Sequence, residues 1–433
     1  MKWNWFCPLP PAKSGIADYS AQVLPFLCSA AEVTLWTDQR EWEPLLEEHA
    51  EVRSYDPNQI PWRAIHRADL SIFHIGNNAL FHGGIWEVAR QCPGLVVLHD
   101  PTLHQFFGGL YRERWNARSA YLNLMRRYYG ESSLHAATEF FEGRLWSEFM
   151  AERFPLTDHA LENALGVVVH SREMFARLKT EDRLPVAYVP LPYLARSLKK
   201  TDDFTNSKKT ARIIVFGYLG ANRRLEQILR ALADLRVRKQ LHLDICGEVE
   251  NAEKLHNLIV WLKLTEAVSV RGFLSDSDLD LALASSDMAV NLRYPSMGEA
   301  SLSLLRIWEH ALPAMVTCVG WYATLPDEVV CFVRPENEID DIKNHLRHLL
   351  EAPEYFRAKG LRARRLLEAD HSPQDYVNAI VTLAGNIQGS IGVTQNYLAD
   401  RVGAIAGEWM EEPLEEQAIA NAVRQISVLT GQE

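Results

Sequence analysis

No run of 18 apolar residues occurs in the 433-residue chain, so a transmembrane helix is not expected. The first residues, Met1-Lys2-Trp3-Asn4-Trp5, lack the long apolar stretch and small-residue cleavage site of a signal peptide. Cysteine is sparse and unpatterned: Cys7, Cys28, Cys92, Cys246, Cys318 and Cys331 show no CxxC spacing, which argues against a zinc site or a disulfide framework. A cytoplasmic protein with reduced thiols is the expectation. Positive charge is in deficit, with 45 Lys and Arg against 56 Asp and Glu and a net charge of −11, so nucleic acid is not an expected partner. Any phosphate must therefore be held by a few placed cations. A metal-binding Asp-x-Asp pair is missing too. Asp276, Asp278 and Asp280 alternate, but in a polar stretch that starts a helix, where solvation and capping account for them. What remains is the 47% apolar content of a soluble globular protein, long enough for two or three domains.

Two α/β halves are legible. In the first, the apolar runs 31–36, 70–75, 95–98 and 166–169 alternate with helical patterns, as a parallel sheet covered on both faces requires. Polar punctuation from Arg196 to Thr210 reads as a linker. The second half restarts with Arg212–Phe216 before Gly217 and Leu241–Cys246 before Gly247, followed by Val268-Ser269-Val270 before Arg271-Gly272. Strand-then-glycine, repeated, marks doubly wound sheets that bind ligands at strand carboxyl ends. The pattern predicts domains over 1–195 and 211–378, with a helical segment over 379–433 that packs back on the body. A helical insertion is expected over about 103–150. Its first part, 103–129, is aromatic and carries Arg112, Arg114, Arg118, Arg126 and Arg127 against the single acid Glu113. That composition fits either an amphipathic packing helix or a surface for an anionic acceptor or a membrane interface.

The most informative stretch runs from Pro295 to Arg306. A buried-strand pattern over Met288–Leu292, a Pro/Gly turn and a helix start place the Glu299 carboxylate beside free amides near Gly298, Ala300 and Ser301. Amides at a helix start suit anionic oxygens, and a carboxylate suits sugar hydroxyls. Three further pieces stand in order before it. Ser14-Gly15 opens a helix after the first strand, His99-Asp100 closes another strand, and Gly217-Tyr218-Leu219-Gly220-Ala221-Asn222-Arg223-Arg224 lies between a strand and a helix.

In this order and spacing, over residues 1 to about 380, the set resembles the retaining glycosyltransferases of family 4. The resemblance implies a GT-B fold, in which two Rossmann-like doubly wound domains face each other across a cleft. It implies sugar transfer from a nucleotide-diphosphate sugar to a hydroxyl of a saccharide or lipid-linked acceptor, with retention and without a cofactor. His99 and Glu299 take the catalytic positions. Ser14, Gly15, Gly217, Arg223, Arg224, Phe273, Gly298, Ala300 and Ser301 take the donor side. Asn77, Asn78 and Asp100 are the acceptor candidates, and 103–129 is a candidate for peripheral membrane contact. Polysaccharide or glycolipid synthesis is the expected setting. Two departures stand out. Tyr218 occupies the position of a family arginine, with Arg224 or Arg293 as replacement cations, and Arg306 stands where the family's second, ribose-holding glutamate belongs. Without a gap Ile307 stands eight residues after Glu299, and Glu309 lies about 200° around the helix from it. These departures favour an alternative, a degenerate GT-B protein that binds nucleotide or a partner without turnover. An epimerase or phosphorylase of similar architecture would lack the Gly-Glu-Ala-Ser and His-Asp context.

Overall fold

The computed structural model describes residues 1–196 and 210–389. The expected linker at 197–209 and the expected helices beyond 389 lie outside the described residues. The chain divides into two compact units, Met1–Pro192 with the segment from Pro373 onward, and Tyr193–Ser372.

The first unit is built on seven parallel strands: β1 (Lys2–Phe6), β2 (Glu32–Thr37), β3 (Glu51–Ser54), β4 (Leu70–Ile75), β5 (Gly94–Leu98), β6 (Ala164–Val169) and β7 (Val186–Tyr188). Their order is β3-β2-β1-β4-β5-β6-β7. β4 and β5 are buried along their whole length, as continuous apolar runs between two helical layers must be. The order reverses between β1 and β4, so the loops after those strands form the crevice where such sheets take ligands.

The helix Pro373–Gly389 belongs to this unit. It packs on the helix Gly15–Ala30 and on β6 and β7, with the Tyr376 ring edge-on to Tyr19 at 5.5 Å. Gly166 permits this approach, because a Cβ there would stand 2.7 Å from Ile387 Cδ1.

The insertion after β5 is helical, with helices at His104–Gly108, Arg118–Tyr129, Leu134–Phe141 and Ser147–Arg153. Its aromatics are core: Phe106, Phe107, Tyr121 and Phe140 are buried with Met125 and Met150. The cationic face expected over 103–129 is largely cancelled. Arg118 pairs with Glu142, Arg126 with Glu131 and Arg127 with Glu162, while Arg112 lies over the Phe140 ring and pairs with Glu113. Three of those acids follow the segment in sequence, so a local charge count overlooks them.

The second unit has six parallel strands: β8 (Ala211–Phe216), β9 (Leu241–Cys246), β10 (Val268–Gly272), β11 (Met288–Asn291), β12 (Ala314–Thr317) and β13 (Cys331–Val333). Their order, β10-β9-β8-β11-β12-β13, reverses between β8 and β11. The helix Leu225–Asp234 covers one face through Ile228, Leu229, Ala231 and Leu232, the spacing of an amphipathic helix. The unit begins at Tyr193 and ends at Ser372, not at 211 and 378. Tyr193 and Arg196 are tied to it by Glu309, a fully buried carboxylate. Glu309 accepts from the Tyr193 hydroxyl at 3.0 Å, from the Arg196 amide at 2.6 Å and from the Arg196 guanidinium at 2.7 Å.

Candidate active site

The loops after β8 and β11 converge on a buried polar network at the switch point of the second sheet. Gly217 ends β8 with φ +104°, and Gly247 ends β9 with φ +131°; a Cβ on Gly247 would lie 1.9 Å from the Gly217 carbonyl oxygen. Only glycine lets these two loops touch. Arg223 follows in a short 3-10 turn and points back beneath the Gly217 turn. Its guanidinium is 4% exposed and donates to the Phe216 carbonyl at 2.8 Å and to Asn291 Oδ1 at 3.0 Å. Asn291, the last residue of β11, passes the network on, donating to Ser301 Oγ at 3.1 Å and to the Tyr322 hydroxyl at 3.3 Å.

Two residues beyond Asn291, Arg293 donates to Glu299 Oε1 at 2.5 Å, and its amide donates to Thr317 Oγ1 at 3.0 Å. Glu299 is fixed further by the Met297 amide at 3.0 Å and the Ser296 hydroxyl at 3.3 Å. Glu299 is bonded by Arg293 and acts on Arg223 only through its charge. Burial, and then the charge of Arg293, push the Arg223 pKa down to about 9. Arg223 Nε has no partner and is buried. A buried cation with an unpartnered N–H and a like-charged neighbour has chemistry suited to an anion.

The helix Leu302–Glu309 starts three residues after Glu299, later than the sequence pattern implies. Ser301 is its cap: it is buried, and its Oγ accepts from the Leu304 amide at 3.2 Å. The Ser301 hydroxyl is thus spent inside the protein. Gly298 turns the chain at φ +83°, with its amide on Ser296 Oγ at 3.0 Å. Arg224 is a correction. Its φ of +58° swings the side chain away from Arg223, and it forms an ion pair with Glu338 at 2.5 Å. The second cation at the network is Arg293. Tyr218 and Phe273 stand exposed at the ends of β8 and β10. Arg306, in the place of the ribose-holding glutamate, bridges Asp276 and Asp280 at 2.7 and 2.8 Å.

In the first unit, Ser14 caps the helix Gly15–Ala30 by accepting from the Ile16 amide at 3.3 Å, and Gly15 is exposed at its start. His99 follows β5, 8% exposed, with Nε2 2.9 Å from His74 Nδ1 on β4. Burial first, then the neighbouring histidines, hold both rings well below the ordinary imidazole pKa. Both are neutral near pH 7, so one ring donates and the other accepts. His82 fixes the local backbone by donating from Nδ1 to the His74 carbonyl at 3.0 Å. Two acceptor candidates make hydrogen bonds within the loop. Asn77 donates to Gln105 Oε1 at 3.1 Å and accepts from the Phe106 amide at 2.9 Å, while Asn78 caps the next helix by accepting from the Leu80 amide at 2.9 Å. Asp100 receives the Asn77 amide at 2.7 Å.

Sequence reasoning did not place Asn291, Tyr322 or Thr317 at the site. Asn291 carried a signal, being a polar side chain ending an apolar strand; the others come from distant segments. Among the described residues, Asp280, Glu309 and His310 bring ligand atoms within 4.8 Å of one another. Arg196 and Arg306 already neutralise these carboxylates, which leaves little charge for a metal cation.

Residues 199–365 match the family model of glycosyl transferases group 1. No curated protein gives a significant sequence match. Among solved structures, the chain is similar to sucrose-phosphate synthase from Thermosynechococcus elongatus, at 15% identity and TM-score 0.62, covering 90% of this chain and 99% of that one. It is similar to WaaG, a glycosyltransferase involved in lipopolysaccharide biosynthesis, at 14% identity and TM-score 0.57, covering 90% and 100%. It is also similar to Anabaena HepE in complex with UDP, at 13% identity and TM-score 0.60, covering 89% and 100%. The two parallel sheets and these likenesses show the GT-B fold, and the match of residues 199–365 to the model of glycosyl transferases group 1 supports a glycosyltransferase.

Proposed function

We propose that the protein transfers a sugar from a nucleotide-diphosphate sugar to a hydroxyl of a saccharide or lipid-linked acceptor, with retention at the anomeric carbon. The observation that carries this reading is the pair Arg223 and Arg293 around Glu299 at the switch point of the second sheet. That network offers more positive charge than its carboxylate absorbs. The donor diphosphate is assigned to Arg223, Arg293 and the amides near Ala300 and Ser301, and the donor sugar hydroxyls to Glu299. A GT-B neighbour solved with UDP supports a uridine nucleotide as the first donor to try.

In the proposed step the bond between C1 and the phosphate oxygen breaks as the acceptor oxygen approaches from the same face. The acceptor proton passes to the departing diphosphate, so no enzyme nucleophile is required. The guanidiniums and amides stabilise the charge that develops on the leaving oxygen. His99 is assigned to a sugar hydroxyl as a neutral imidazole, and the Gly15 loop to an anionic oxygen.

A second reading, nucleotide binding without turnover, draws on Tyr218 and on the Arg306 bridge to α-helical aspartates where a ribose-binding glutamate would stand. A panel of nucleotide sugars, assayed for released nucleotide with and without mono- and disaccharide acceptors, tests the two. Release from one donor that rises with acceptor supports transfer. Tight nucleotide binding with no release from any donor supports the second reading.

A further inference from the structure

At the opposite, amino-terminal ends of the second sheet lies a pocket of about 600 Å³ that the proposed reaction does not use. It sits where the chain enters β13, between the last turns of the helix Glu338–Glu351 and the helix Pro353–Asp370. Its deepest charged group is Lys359. That side chain is 7% exposed, and its ammonium donates to the backbone carbonyls of Asp327 and of Val330, the latter at 2.8 Å, and lies 5.5 Å from the centre of the Tyr355 ring. No carboxylate pairs with it among the described residues. An ammonium has three N–H donors, and two are accounted for. A buried cation without a counter-ion is costly, and an anion in the adjoining space would offset that cost.

The rest of the lining fits the same ligand chemistry. Arg362 uses Nε on the Glu328 carbonyl at 3.0 Å, which leaves the two terminal nitrogens of its fork for a bidentate oxyanion. His345 donates Nε2 to the Phe332 carbonyl at 2.8 Å. The Tyr355 ring, 47% exposed, stacks on His348 at 4.9 Å and forms a flat wall beside Lys359. Asp327 and Glu328, both exposed, supply carboxylates at the mouth. We infer that this pocket is a second ligand site, which takes the phosphate or carboxylate group of a small hydroxylated metabolite. Lys359 and Arg362 hold the oxyanion, the Tyr355 face packs on the carbon skeleton, and the mouth acids accept its hydroxyls.

The inference does not depend on the proposed reaction. Titration calorimetry of the full chain with inorganic phosphate, glucose 6-phosphate, gluconate and glucose tests it. Arg293→Gln is run in parallel to exclude binding at the nucleotide network. Saturable binding of phosphate or glucose 6-phosphate that survives Arg293→Gln is expected, and it should weaken about tenfold or more in Arg362→Gln, the loss of a charge-assisted contact. Lys359→Met should abolish it, and Arg362→Gln, a change at an exposed side chain, keeps the test decisive if Lys359→Met fails to fold. Gluconate binding in place of phosphate would identify the oxyanion as carboxylate. Binding unchanged in Arg362→Gln, reproduced by chloride at equal ionic strength, lost in Arg293→Gln, or absent for all four probes would overturn it.

Discussion

Replacing Arg223 with Met separates what this side chain does for the ligand from what it does for the fold. Its pKa of about 9, against the ordinary 12.5, corresponds to about 5 kcal/mol of penalty on the charged form, at ~1.4 kcal/mol per pH unit. This is an upper bound on what the unliganded protein carries. The sign follows from the direction: a cation whose pKa is depressed by folding destabilises the fold fully below about pH 9. Methionine removes that penalty and fills similar volume, but leaves the Phe216 carbonyl and Asn291 Oδ1 without their donor. Each lost partner costs about 1–3 kcal/mol. The two terms nearly cancel, so thermal unfolding of Arg223→Met without ligand should lie close to, or slightly above, the native protein. Nucleotide binding should fall by about 10- to 100-fold, the worth of a hydrogen bond to a charged group. Calorimetry with UDP and GDP, beside unfolding curves with and without nucleotide, reads both effects. A variant that unfolds far below the native protein yet binds nucleotide normally would show that Arg223 is a structural strut, and the anion-site reasoning would fail.

Three further outcomes follow from the geometry. Glu309→Ala should cost about 3–5 kcal/mol, because it strands the Arg196 and Tyr193 donors around a fully buried position. Although burial opposes its charge, the Arg196 bonds hold the Glu309 carboxyl below its ordinary pKa, so its contribution is present above about pH 4.3 and lost as pH falls through the folded value; acid unfolding curves of the native and variant proteins should converge. Gly247→Ala should force the Gly217 loop aside and abolish nucleotide binding while the far-ultraviolet circular dichroism stays native, since the clash is confined to two loops. His74→Leu should remove the partner of His99 Nε2 and lower kcat by about 100-fold, with His74→Asn recovering part of it; unchanged His99 nitrogen shifts in ¹⁵N NMR of His74→Leu would show that the 2.9 Å contact does not orient the ring.

The two sheets were legible because their central strands are long apolar runs closed by glycine, a local pattern. The turns that carry Gly15, Gly217, Arg223 and Glu299 were legible for the same reason, each lying between a strand and a helix. Properties that depend on distant partners were not. Whether Arg118 and Arg127 are free is decided by Glu142 and Glu162, outside their own helix. Arg223 and Arg224 are adjacent in sequence, yet a left-handed residue sends one under the Gly217 turn and the other to Glu338. Ser301 and Asn78 offer the same side-chain chemistry to a ligand and to a helix end, and the backbone claims both. The helix Pro373–Gly389 follows the second unit in sequence but packs on the first, because its apolar face meets Gly166 and Tyr19.

The central claim is sugar transfer at the Arg223–Arg293–Glu299 network, and the most direct measurement is acceptor-dependent nucleotide release by the native chain and by Glu299→Gln. The account predicts release from one nucleotide sugar in the native protein, a product that keeps the donor's anomeric configuration by NMR, and a loss of about 100-fold or more in Glu299→Gln with nucleotide binding retained. Equal turnover in Glu299→Gln, or a product of inverted configuration, would contradict it.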